Sequence, residues 1–104
     1  MAVRQFDVFE NPSPEARRFA PYLVVLSSHL VLGFDDAVVA PLVNDSQATV
    51  GSLEVEVDLA GENLVLVVSE LAAMARRNLK RRVGSLAAHE DNIRRALDRL
   101  FTGF

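Results

Sequence analysis

Apolar residues fall into short runs before residue 69 and into a three-and-four repeat after residue 85. Val3 to Phe9 mixes polar and apolar residues with a period of two, which predicts a strand with mixed faces. Glu10-Asn11-Pro12-Ser13-Pro14 ends it, because two prolines cannot continue a ladder, and residues 10–18 read as a loop. Pro21 to Leu26 is a continuous apolar, β-branched run bounded by Ser27-Ser28, as expected of a central strand. A second such run spans Ala37 to Val43, where Pro41 lacks a backbone donor and points to a bulge or a sheet edge. Between the two runs lies the apolar loop Leu30-Val31-Leu32-Gly33-Phe34, which needs a cover.

Leu53 to Leu59 alternates strictly, with Leu and Val on one face and acids on the other. Ala60-Gly61-Glu62-Asn63 then turns the chain into Leu64 to Val68, so residues 53–68 form a β-hairpin. Ser69 to Arg82 contains Glu70-Leu71-Ala72-Ala73-Met74-Ala75, and its propensities predict a helix. In the last segment Leu86, Ile93, Ala96, Leu97, Leu100 and Phe101 make one face of an amphipathic helix. Gly84-Ser85 supplies its start and Gly103 its stop, and acids precede bases along it, as the helix dipole favours.

At 104 residues with 50% hydrophobic side chains, residues 1–104 suffice for one domain with a modest core. A homodimer would add apolar burial. With no cysteine there is neither a disulfide framework nor a thiolate metal site. The opening residues do not read as a signal peptide and no apolar run is long enough to span a bilayer, so a cytoplasmic protein without a membrane partner is expected. The net charge of -3 conceals an asymmetry: residues 1–75 carry -8 and residues 76–104 carry +5.

The chemistry-bearing residues are few. His89-Glu90-Asp91 lacks the i, i+4 spacing of a metal pair and reads as a surface helix turn. His29 follows Ser27 and Ser28, but no glycine-framed elbow surrounds either serine. The five glycines are scattered singly, so a phosphate loop is missing, and no cofactor is expected. Arg76, Arg77, Lys80, Arg81 and Arg82 suit a solvated face, a phosphate backbone or an acidic protein partner, and no aromatic residue interleaves to stack on a base. The tail Leu100-Phe101-Thr102-Gly103-Phe104 stands out, since an exposed aromatic forgoes about 1.5–3 kcal/mol of burial.

In this order, the segments Gln5-Phe6-Asp7-Val8-Phe9, Pro21-Tyr22-Leu23-Val24-Val25-Leu26, Val38-Val39-Ala40-Pro41-Leu42, Glu90-Asp91-Asn92-Ile93 and Leu100-Phe101-Thr102-Gly103-Phe104 resemble the CcdB family of toxins. The resemblance implies a mainly β, SH3-like β-barrel of CcdB/MazF type with a small β-hairpin wing and a C-terminal α-helix, assembled as a homodimer. It also replaces the helix over 75–82 by a strand after a short turn.

The same resemblance implies a binding protein and not an enzyme: it traps DNA gyrase on cleaved DNA through the gyrase A subunit. Leu30, Val31, Asp98, Phe101, Thr102, Gly103 and Phe104 occupy the family's contact positions. A CcdA-like antitoxin neutralises such toxins, and the pair represses its own operon, so operator DNA is met only through the antitoxin complex. The basic residues from Arg76 to Arg82 are candidates for antitoxin or DNA contact. The chain departs from the common pattern at Thr102, where tryptophan is usual, at Phe104, where isoleucine is usual, and at Asp36-Ala37, where an arginine pair is common. A ribonuclease toxin of the same barrel, or a non-toxic relative acting as an antitoxin-binding regulator, are the alternatives.

Overall fold

The computed structural model describes residues 3–29, 35–44 and 50–103. Among them, seven strands make one antiparallel sheet: β1 (Asp7–Glu10), β2 (Tyr22–Val25), β3 (Asp36–Asn44), β4 (Glu54–Leu59), β5 (Glu62–Val67), β6 (Ala72–Ala75) and β7 (Arg82–Ser85). The order is β4-β5-β3-β2-β1-β7, with β6 paired to β3. One α-helix among the described residues, α1 (Glu90–Thr102), follows.

The long strand β3 organises the sheet. One side of it pairs with β2. On the other side Asp36 to Val39 pair with β6, while Leu42 to Asn44 pair with β5. Sharing one strand between two neighbours curls the sheet into a half-barrel. Ala40 and Pro41 fall where the partner changes from β6 to β5, and the register with β2 runs through them unbroken, Val24 opposite Ala40 and Leu23 opposite Pro41. Pro41 therefore marks neither a bulge against β2 nor an outer edge. The missing donor is tolerated where two partner strands meet end to end.

Both faces of the sheet are covered at β2, which accounts for its uninterrupted apolar run. Val24 joins Val8, Leu42, Leu64, Leu66, Leu86, Ile93 and Ala96 in the main core beneath α1. Leu23 and Val25 point the other way, into a second cluster with Phe9, Ala37, Val39 and Leu79. A two-sided strand reads as continuous hydrophobicity instead of alternation.

Several expectations shift. The strand expected from Val3 begins only at Asp7, because Phe6 takes a left-handed φ of 72° that sends its ring into the core. Phe6 N–H donates to Val25 C=O at 2.7 Å, and Phe6 C=O accepts from Leu86 N–H at 2.8 Å, so the kinked residue ties β2 to the entrance of α1. The 10–18 loop gives up Glu10 to β1 and holds one helical turn, Ala16–Arg18.

The helix expected across Ser69 to Arg82 does not form. Single turns at Val68–Glu70 and Arg76–Asn78 flank β6, and the strand that the resemblance implied over 75–82 lies on either side of that span, as β6 and β7. The physical reason is competition. Helix propensity is worth only tenths of a kcal/mol per residue, whereas β6 satisfies the β3 edge and the following connection lays Leu79, 3% exposed, over the second core.

The hairpin β4–β5 forms, but its turn is narrower than expected: Glu62 and Asn63 pair with Leu59 and Asp58 in β5, leaving a two-residue turn at Ala60 and Gly61 with φ of 52° and 85°. Two successive left-handed residues match the twist of a hairpin. The helix starts later than Gly84-Ser85, which pair with Val8 and Asp7 inside β7. Ser85 Oγ accepts from Ala87 N–H at 3.1 Å, and a turn at Ala87–His89 leads into α1. Gly103 ends the helix with a φ of 80°, its N–H donating to Arg99 C=O at 3.0 Å.

Candidate partner-binding surfaces

Along α1, Ile93 and Ala96 are fully buried, and Leu97 and Leu100 pack partly against the same core. Phe101, expected on that stripe, is 70% exposed. Asp98, Thr102 and Gly103 are exposed beside it. The scaffold beneath is firm: Arg99 Nε donates to Ser52 C=O at 2.7 Å and ties the last turn to the approach of β4. Thr102 Oγ1 donates to Asp98 C=O at 2.6 Å, so its hydroxyl proton is used inside the helix and its oxygen remains an acceptor. An aromatic ring is thus held outward on a rigid element. Leu30, Val31 and Phe104 lie outside the described residues.

The basic run is divided by the fold. Arg76, Arg77 and Lys80 share a shallow depression with Val3 and Leu79. Lys80 and Arg81 line another with Arg17, Asn78 and Glu10. Glu10 bridges Arg17 at 3.3 Å and Arg81 at 3.5 Å, which brings Arg17 to a cluster from which it is remote in sequence. Arg82 turns elsewhere, its Nε 3.1 Å from Oδ1 of the buried Asp7. Exposed Phe19, beside Arg17 and Arg18 at the loop end, is a further apolar feature that no periodicity marked.

The two histidines are far apart in role. His89 Nε2 faces Asp58 N–H at 3.4 Å on the outside of the hairpin. His29 stands beside Arg4, with Arg4 Nη2 3.0 Å from its Nε2 and Gln5 N–H 3.3 Å from its Nδ1. Ser27 Oγ accepts from Val38 N–H at 3.1 Å and so extends the β2–β3 ladder; that contact gives it a structural task. Among the described residues no group of three or more His, Cys, Asp or Glu is placed to hold a metal ion, and no helix is long and apolar enough to cross a membrane.

Solved structures share this curled sheet and helix. An endoribonuclease from a mycobacterial species is similar with a TM-score of 0.72 at 12% identity, over 94% of this chain and 89% of that one. An endoribonuclease in complex with its cognate antitoxin, also mycobacterial, gives 0.72 at 12% identity, over 93% and 92%. The Mycobacterium tuberculosis toxin MazF-mt6 gives 0.66 at 21% identity, over 77% and 84%. No curated protein sequence matches the chain. The half-barrel and its neighbours define the class as a CcdB/MazF-like fold. Within that class, residues 5–103 match the family model described as CcdB protein, and the chain belongs to the CcdB family. Membership of that family makes it a toxin of the toxin–antitoxin type.

Proposed function

We propose that the chain binds the A subunit of DNA gyrase and holds the enzyme on cleaved DNA, acting by binding and not by catalysis. The outward Phe101 carries this reading: a large aromatic 70% exposed on an anchored helix end is the form of an interface anchor. Asp98, Thr102 and Gly103 complete the surface, and Leu30, Val31 and Phe104 are assigned to it from the family pattern. A homodimer presents two such ends to a partner with its own twofold axis.

The test is gyrase-dependent DNA cleavage by purified protein. The wild type accumulates cleaved DNA, and Phe101→Ala reduces this by more than tenfold, the effect of losing an anchor worth about 2 kcal/mol. Cleavage unchanged by Phe101→Ala, or none with the wild type, overturns the reading. Ribonuclease activity is the competing mechanism suggested by the neighbours' names, and RNA left intact by the same preparation removes it. A CcdA-like antitoxin is the proposed neutralising partner, with Arg76, Arg77, Lys80 and Arg81 as its acidic-segment contacts. The complex, not the toxin alone, meets operator DNA.

A further inference from the structure

A cleft of about 470 Å³ opens between the turn before β1, the end of β2, β7 and the first turn of α1. Arg4, His29, Arg82 and Arg94 meet there with the carboxylates of Asp7 and Glu90. They come from four separate segments, so no sequence window shows the cluster.

The carboxylates orient the cations. Asp7 Oδ1 accepts from Arg82 Nε at 3.1 Å, and its Oδ2 accepts from Arg4 N–H at 3.0 Å. Glu90 Oε2 accepts from Arg94 Nε at 2.6 Å, while Arg94 also lies over the Phe6 ring, 5.7 Å from its centroid. Both ion pairs use Nε atoms and set the guanidinium planes, whose terminal nitrogens are further donors.

His29 supplies a second, independent observation. Each of its ring nitrogens faces a group that can only donate, Arg4 Nη2 at 3.0 Å and Gln5 N–H at 3.3 Å. A neutral imidazole carries one N–H, so one contact sets donor against donor. An anionic acceptor beside Arg4 and His29 resolves that conflict by taking a hydrogen bond from each.

We propose that this cleft binds a phosphate group. Phosphate oxygens match guanidinium donors in pairs, and here three guanidiniums and an imidazole outnumber two carboxylates. The site flanks the start of α1, whereas Asp98, Phe101, Thr102 and Gly103 lie at its other end, so the phosphate proposal does not rest on the gyrase reading.

The chain has two histidines, and the imidazole C–H resonances report separately. Full-length protein is titrated with inorganic phosphate, and separately with short single-stranded RNA and DNA. The His29 signal shifts saturably while that of His89, outside the cleft, stays still. Arg4→Gln weakens binding roughly tenfold, as loss of a charge-assisted hydrogen bond requires, and Arg18→Gln, at an exposed position away from the cleft, does not. Saturation by phosphate alone assigns the free anion, tighter saturation by a strand assigns a nucleic-acid backbone, and either supports the site. Should Arg4→Gln fail to fold, thermal stabilisation of the wild type by phosphate, beyond chloride of equal ionic strength, reports binding instead. An unmoved His29 signal with every probe, equal affinity in wild type and folded Arg4→Gln, or no phosphate-specific stabilisation overturns the proposal.

Discussion

At the scale of single residues, two left-handed positions filled by non-glycine residues show how local cost and tertiary gain are traded. Phe6 adopts a φ of 72° and is 4% exposed. The conformation costs about 1–2 kcal/mol, and burial of the ring returns about as much or more. Ala60 takes a φ of 52° in an exposed turn with no such return. Ala60→Gly is therefore expected to stabilise the protein by about 1 kcal/mol, read as a higher denaturant midpoint with an unchanged slope. Asp7 presents the opposite balance. Its buried carboxylate accepts from Arg4 N–H and Arg82 Nε, and Asp7→Ala leaves an unpaired backbone donor in its place. A loss of about 1–3 kcal/mol is expected in equilibrium unfolding, and a neutral midpoint shift would show the pair to be dispensable.

Among elements, the segment from Ser69 to Arg82 is the most instructive. Its composition favours a helix, and a peptide of residues 69–82 in isolation has no β3 edge to join. In the folded chain the amides of β6 that bond to β3 are expected to exchange slowly, since they pair with Asp36 to Val39. Leu79 is the apolar hold of the following connection, and Leu79→Ala is expected to cost about 2–5 kcal/mol, a magnitude that a surface loop would not show. Helix α1 was more legible. Ile93, Ala96, Leu97 and Leu100 lie against the core as their spacing requires, but Phe101 sits at the margin of that stripe and faces out. Periodicity of three and four locates a face; it does not locate the border at which packing ends.

For the whole molecule, the charge asymmetry read from the sequence is only partly preserved in space. Glu10 bridges Arg17 and Arg81, and Asp7 takes Arg82, so acids of the first segment partly neutralise the basic run. Arg77 and Lys80 stay exposed and are the better candidates for a soft electrostatic contact. Charge reversal of both, Arg77→Glu with Lys80→Glu, is expected to slow association with an acidic antitoxin segment and to flatten its dependence on salt. Equal salt dependence in the variant would remove the basic face from that contact.

The sequence by itself determined the alternating hairpin, the two-faced apolar strand β2, the glycine stop of α1 and the family pattern, because each is written in neighbouring residues. Tertiary structure alone decided three things. It turned a helix-prone segment into a strand at the β3 edge, where unmet backbone hydrogen bonds outweigh propensity. It left Phe101 outside the core, since packing under α1 is completed by Leu97 and Leu100. It gathered Arg4, His29, Arg82 and Arg94 into one cleft, because residues remote in sequence become neighbours only when strands β1 and β7 pair.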